Sequence, residues 1–150
     1  MPSRTDRVPA LREARRVLRT GGVLIATAVN RFASLIDGLV SGYIDDPAYI
    51  LILDGDLTDG QHLPGTSTPD GYFTTAFLHL PEELESEIAE AGFRQKALLS
   101  VQGPGEYAIE LDERLSDLDR REQLLSLIRR VETERTLLGM ASHFVVIAEK

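Results

Sequence analysis

Apolar residues fall along this chain in two rhythms, and the alternation between them outlines an α/β protein. Val8, Leu11, Ala14 and Leu18 recur every three to four positions, with Arg12, Glu13, Arg15, Arg16 and Arg19 on the remaining surface. That spacing predicts an amphipathic helix. Thr5-Asp6 are placed to cap it near Pro9, and Gly21-Gly22 to stop it. Residues 23–29 (VLIATAV) follow as one continuous apolar run. A short, non-alternating run bounded by glycines predicts a strand buried on both faces, as in parallel sheets covered by helices.

Leu35, Ile36, Leu39, Val40 and Tyr43 predict a helix over 33–44, and 47–53 a second, short one. From 54 to 71 the composition shifts to Gly, Pro, Thr, Ser and Asp, which predicts a long loop. Long loops in compact domains are usually functional or mobile. Pro81 opens the next helix, with Glu82 and Glu83 near its positive end, Leu84, Ile88 and Ala91 as its buried stripe, and Gly92 as its stop. A strand is expected over 94–101, a long helix over most of 111–138 and a last strand over 142–149. The predicted order is α, β, helical insert, α, β, α, β, in a single domain.

Composition narrows the function. The 150 residues carry 16 Lys+Arg against 24 Asp+Glu, a net charge of −8, with no Cys. An acidic chain of this kind lacks the basic face that nucleic acid or anionic lipid requires, so neither is an expected partner. Without Cys there is no disulfide, no thiolate zinc site and no thiol nucleophile. The first eleven residues hold two Arg and no apolar stretch, and the longest apolar runs are too short to span a bilayer. A cytoplasmic location is the expectation.

Several residues carry candidate chemistry. Asn30, Arg31 and Phe32 stand at the carboxyl end of the first strand, where open α/β sheets bind ligands. They are candidates for substrate binding; otherwise Asn30 caps the next helix and Arg31 is solvated. Tyr72, Phe73 and Thr74 either line a substrate pocket or anchor the long loop. Of three histidines, His79 is the best placed for a substrate pocket, with a structural role as its alternative. His62 is expected to be solvated and His143 structural. No His pair has zinc spacing, and Asp54-x-Asp56-x-x-Asp59 departs from a calcium loop, so it reads as a solvated acidic turn. Gly103-Pro104-Gly105 lacks a third glycine and an N–H at Pro104, which makes an ordinary turn the better reading than an anion-binding one.

The segment Leu11-x-Glu13-x-x-Arg16-Val17-Leu18-Arg19-x-Gly21-Gly22 with Val23-Leu24-Ile25 resembles the helix–turn–strand that forms the fifth strand of class I S-adenosylmethionine-dependent methyltransferases. Pro81-Glu82-Glu83-Leu84 and Glu90-Ala91-Gly92-Phe93 are similar to the same family's later half, where a helix ending in A-G-F feeds the sixth strand. The last strand would be the seventh, antiparallel between the other two.

The resemblance covers nearly the whole chain. It implies a partial Rossmann-like sheet of the fifth, sixth and seventh strands, with residues 33–71 as a lid-like insert and a small-molecule methyl acceptor beneath it. S-adenosylmethionine is the implied cofactor. Its Gly-rich motif belongs to the family's N-terminal half, which has no counterpart in this sequence. The expected activity is therefore that of a methyltransferase half, inactive unless the other half is supplied.

A fourth strand would lie beside residues 23–29, and without it that apolar edge is open. A homo-oligomer built on this edge is the expected assembly. The alternative function is a non-enzymatic interaction module, and an unrelated α/β ligand-binding domain is a third reading.

Overall fold

The protein is described by a computed structural model covering residues 3–63 and 75–150. Helix α1 (Arg4–Val17) leads through Gly21-Gly22 into strand β1 (Val23–Asn30). An insert follows: α2 (Ala33–Ser41), α3 (Pro47–Asp59) and two short strands, β2 (Gln61–His62) and β3 (Ala76–His79). The chain continues through α4 (Pro81–Glu90), β4 (Arg94–Val101), α5 (Leu111–Ser116), α6 (Leu118–Arg129) and β5 (His143–Glu149).

The strands form a five-stranded mixed sheet in the order β2-β3-β1-β5-β4. β5 lies antiparallel between β1 and β4, which therefore run the same way. β3 lies parallel to β1 but pairs with it only at Val29 and Asn30. The insert thus adds two strands to the three that the sequence predicts.

Antiparallel register sorts the side chains into rows, because directly opposed residues point to the same face. Ala26 and Val146, then Ala28 and Phe144, stand side by side on one face. There they form the core with Leu84, Ile88 and Ala91 of α4, Phe93, and Leu138 of the 3-10 turn Arg135–Met140. Leu11 and Leu18 of α1 pack against the same cluster. α1 and α4 therefore cover one face of the sheet.

The opposite face corrects the expectation of a strand buried twice over. Ile25 stands beside Ile147 and Ala97, and Thr27 beside Val145 and Leu99. Along β1 that face is open: Ile25 is 68% exposed and Val23 55%. The run reads as continuous because Leu24, Ala26 and Ala28 are apolar for the core, while Val23, Ile25 and Val29 are apolar on the uncovered side.

Three further boundaries differ from the sequence prediction. α1 begins at Arg4, because Ser3 Oγ accepts the Thr5 N–H and caps it there, and Pro9 lies inside the helix. α3 runs six residues past the predicted 47–53, to Asp59, ending on Gly60 in the left-handed conformation (φ 78°). The predicted long helix breaks at Asp117, whose extended backbone (φ −90°, ψ 124°) and side chain, accepting from Arg120 N, start α6 afresh. Neither α5 nor α6 contributes a buried residue.

Candidate functional site

A cavity of about 580 Å³ opens at the carboxyl ends of β1 and β3, within the size range of small-molecule pockets. Val29 of β1 and Ala76 and Leu78 of β3 form its apolar wall, and Ala33 and Val40 of α2 extend it. Strand alternation explains the selection: Val29 and Leu78 face the cavity, so their neighbours Asn30, Phe77 and His79 face the other way. The polar groups come from three other places. They are Ser34 and Asp37 of α2, His62 of β2, and a rim of Gln102, Glu106, Tyr107, Ser142 and His143.

His62 is the most constrained of these. It is buried, and its Nδ1 lies 2.9–3.0 Å from the two carboxylate oxygens of Asp56, which is wholly buried. The geometry is local in origin. Asp56 sits in the last turn of α3, and Gly60 accepts the left-handed turn that reverses the chain. Two residues later His62 lies back alongside the helix. The Gly60 carbonyl then receives Leu78 N–H at 2.8 Å, which ties the turn to β3. His62 and Asp56 correct two expectations at once, a solvated histidine and a solvated acidic turn.

On the rim, Ser142 Oγ donates to both Glu106 oxygens at 2.8 and 2.9 Å. Burial raises the Tyr107 phenol above its ordinary pKa, and the negative charges of Glu106 and Asp37 push the same way, so the hydroxyl stays protonated. Gln102 holds φ 66° and ψ −44°, a left-handed backbone that a side chain rarely adopts. Such strain tends to persist at functional sites, and here it sits in the cavity wall.

The residues singled out from the sequence are distributed differently. Asn30 is fully buried; its Nδ2 donates to the carbonyls of Leu138, Gly139 and Ala141, and its Oδ1 accepts Phe32 N–H. It fastens the turn before β5 to the end of β1. Arg31 is equally enclosed: Nε donates to Leu78 O at 2.9 Å, and Nη2 to both oxygens of Glu83 at 2.8–2.9 Å. Phe32 is on the surface, near Gly139. None of the three lines the cavity. Tyr72, Phe73 and Thr74 lie outside the described residues.

His79 faces the helix layer, edge-on to Phe77 at 4.7 Å and 3.4 Å from Glu87. Burial lowers its pKa and outweighs the attraction of Glu87, so the ring is neutral at pH 7. Burial alone would raise Glu87, but Arg7, donating at 2.6–3.2 Å, holds it below its ordinary value. With His79 neutral, the cations beside Glu87 are Arg7 at 2.6 Å and Arg4 at 3.6 Å. This cluster joins α1, β3 and α4.

Sequence reasoning missed His62, Asp56, Asp37 and the rim. One signal was available: no Lys or Arg occurs between Arg31 and Arg94, while that stretch carries twelve carboxylates. Among the described residues the cavity walls follow suit, with Asp37 and Glu106 present and neither Lys nor Arg.

Among the described residues no three His, Asp or Glu side chains are grouped as a metal site, and no helix is long and apolar enough to cross a membrane. The G-x-G turn at 103–105 is not a cradle for the S-adenosylmethionine that the resemblance implies. Gly103-Pro104-Gly105 is a 3-10 turn, and a Cβ on Gly105 would stand 2.5 Å from Ile128 Cδ1. That glycine admits α6, not a ligand. No family model matches the chain, and no curated protein matches it.

Proposed function

We propose that this chain is the acceptor-binding half of a class I S-adenosylmethionine-dependent methyltransferase, and that the cavity at the ends of β1 and β3 receives a small-molecule methyl acceptor. The supporting observation is the strand order. A helix, a Gly-Gly turn and β1 lead the sheet, a helix ending in Ala91-Gly92-Phe93 feeds β4, and β5 is inserted antiparallel between β1 and β4. That is the order the resemblance implies for the fifth, seventh and sixth strands. The cavity lies at the carboxyl ends of β1 and β3, where open α/β sheets place their ligands. The cofactor supplies the electrophilic methyl group, and the Gly-rich motif that would hold it is not among these 150 residues. Calorimetric titration of the purified chain with S-adenosylhomocysteine tests this. Micromolar binding supports a site rebuilt across an assembly. A folded chain that binds nothing, alone or mixed with a cofactor-binding half of this family, overturns the reading.

The open side of β1 favours a second reading, an interaction module without catalysis. Asn30 N–H bonds to Ser142 O and Lys150 N–H to Gly22 O, so the even-numbered residues of β1 spend their backbone groups on β5. The amides and carbonyls of Val23 and Ile25 therefore point to the free edge, beside their own exposed side chains. A homo-oligomer paired through this edge serves either reading.

A further inference from the structure

We propose that the cavity at the ends of β1 and β3 selects an organic cation, a small amine whose ammonium group is held by Asp37 and Glu106 and whose apolar body rests on Val29, Ala76 and Leu78. This deepens the reading of the cavity as a ligand site and rests on that reading, not on the methyltransferase assignment.

Two elements far apart in the chain bring the carboxylates to one space. Asp37 comes from α2 and Glu106 from the 3-10 turn Gly103–Tyr107, and both line the cavity. Each is half-buried. The protein offers them hydroxyl donors: Ser41 Oγ donates to Asp37 at 3.1 Å, and Ser142 Oγ to Glu106 at 2.8–2.9 Å. Among the described residues neither takes part in an ion pair. Tyr107 shows that their fields overlap on the rim, since after burial it is Glu106 and Asp37 that raise its phenol.

The chain itself withholds a neutralising side chain. Residues 32–93 contain no Lys or Arg, so the whole insert, its stretch outside the described residues included, brings none. Arg31, just before that stretch, is spent on Leu78 O and the Glu83 carboxylate.

Two carboxylates on a partly desolvated space repel each other and attract a positive charge that enters it. An ammonium meets them with N–H donors, and such charge-assisted bonds are about twice as strong as neutral ones. An alcohol lacks the charge, and a carboxylate or phosphate meets like charge. A bare metal ion would use the two carboxylates but leave the apolar wall and most of the 580 Å³ without a role. An organic amine uses both.

An NMR titration of the full chain without cofactor tests the proposal, at about pH 8, where an ordinary imidazole is neutral. The probes are phenethylamine, phenethyl alcohol and hydrocinnamate, which share one apolar body and differ in charge. Phenethylamine should bind at least about tenfold more tightly than the alcohol, with hydrocinnamate the weakest, and should move the amides of Ala33, Gln102 and Tyr107. Asp37→Asn and Glu106→Gln should each bring the amine's affinity toward that of the alcohol while leaving the alcohol's unchanged.

The alcohol or hydrocinnamate binding in the cavity as tightly as the amine overturns the charge selection and leaves the cavity standing as a ligand site. Amine binding that neither substitution weakens overturns it as well. No binding by any probe at millimolar concentration ends both this proposal and the reading of the cavity. All of these results stand apart from the S-adenosylhomocysteine titration, so the methyltransferase reading fails separately.

Discussion

Asp56 and His62 are six residues apart, and their side chains meet at 2.9 Å because the helix bearing Asp56 ends on a left-handed glycine. The contact closes one wall of the cavity and is buried on both sides. Asp56→Ala should therefore cost about 2 kcal/mol, the scale for leaving a buried hydrogen-bonding group without its partner. Urea unfolding checks this: the midpoint should fall with an unchanged slope. Asp56→Asn keeps one acceptor oxygen and should cost visibly less.

Gly60 makes that turn possible for two separate reasons. Its φ is 78°, and a Cβ there would collide with the carbonyl of Leu78 and stand 2.7 Å from the Arg31 guanidinium. Gly42 shares the same φ but has nothing within 4 Å. Gly42→Ala should cost about 1 kcal/mol, the left-handed strain alone. Gly60→Ala should cost well over that and should also loosen β3. Paired thermal melts separate strain from crowding, and equal losses at the two sites would contradict the packing described.

The Arg7–Glu87–His79 cluster sets the acid side of the stability curve. His79 has a lowered pKa in the fold, so the unfolded chain binds the proton more readily. Its contribution is present above the ordinary value of 6.5 and is lost as pH falls below it. Glu87, also lowered, adds a loss as pH falls below 4.5. The urea midpoint should decline in two stages on acidification, and His79→Gln should flatten the first while leaving the second.

Elements with local punctuation were legible from the sequence. Pro81 and Gly92 bound α4 within one residue, and the Gly21-Gly22 turn places the start of β1. What was not legible depended on distant partners. DGDLTD has loop composition, yet it is helical because Asp56 is held by His62 and the turn at Gly60 is held by Leu78. His62, set among loop-forming residues, gives no local sign that a carboxylate waits for it. Asn30 and Arg31 were rightly located at the carboxyl end of a strand, but alternation turns Val29, not Asn30, toward the cavity. The two-sided burial expected of residues 23–29 assumed a second helix layer that no local pattern specifies.

That uncovered side of β1 yields the last prediction. Ile25 is 68% exposed, and its backbone groups point to an edge where β3 pairs only at Val29 and Asn30. No Lys, Arg, Asp, Glu or Pro occurs within residues 21–29, so the edge lacks the usual guards against pairing with another chain. At micromolar concentration the protein should sediment as a dimer or larger species. Ile25→Lys should dissociate it, since each copy forfeits about 2 kcal/mol of apolar burial and gains a charge to desolvate. That loss weakens association more than about tenfold. The substitution touches no core residue, so the circular dichroism of the monomer should match that of the wild type. A wild-type chain that sediments as a monomer ends the case for self-pairing at this edge. An Ile25→Lys protein that remains assembled would move the contact to another surface, such as the exposed Leu39, Val40 and Leu51 of the insert.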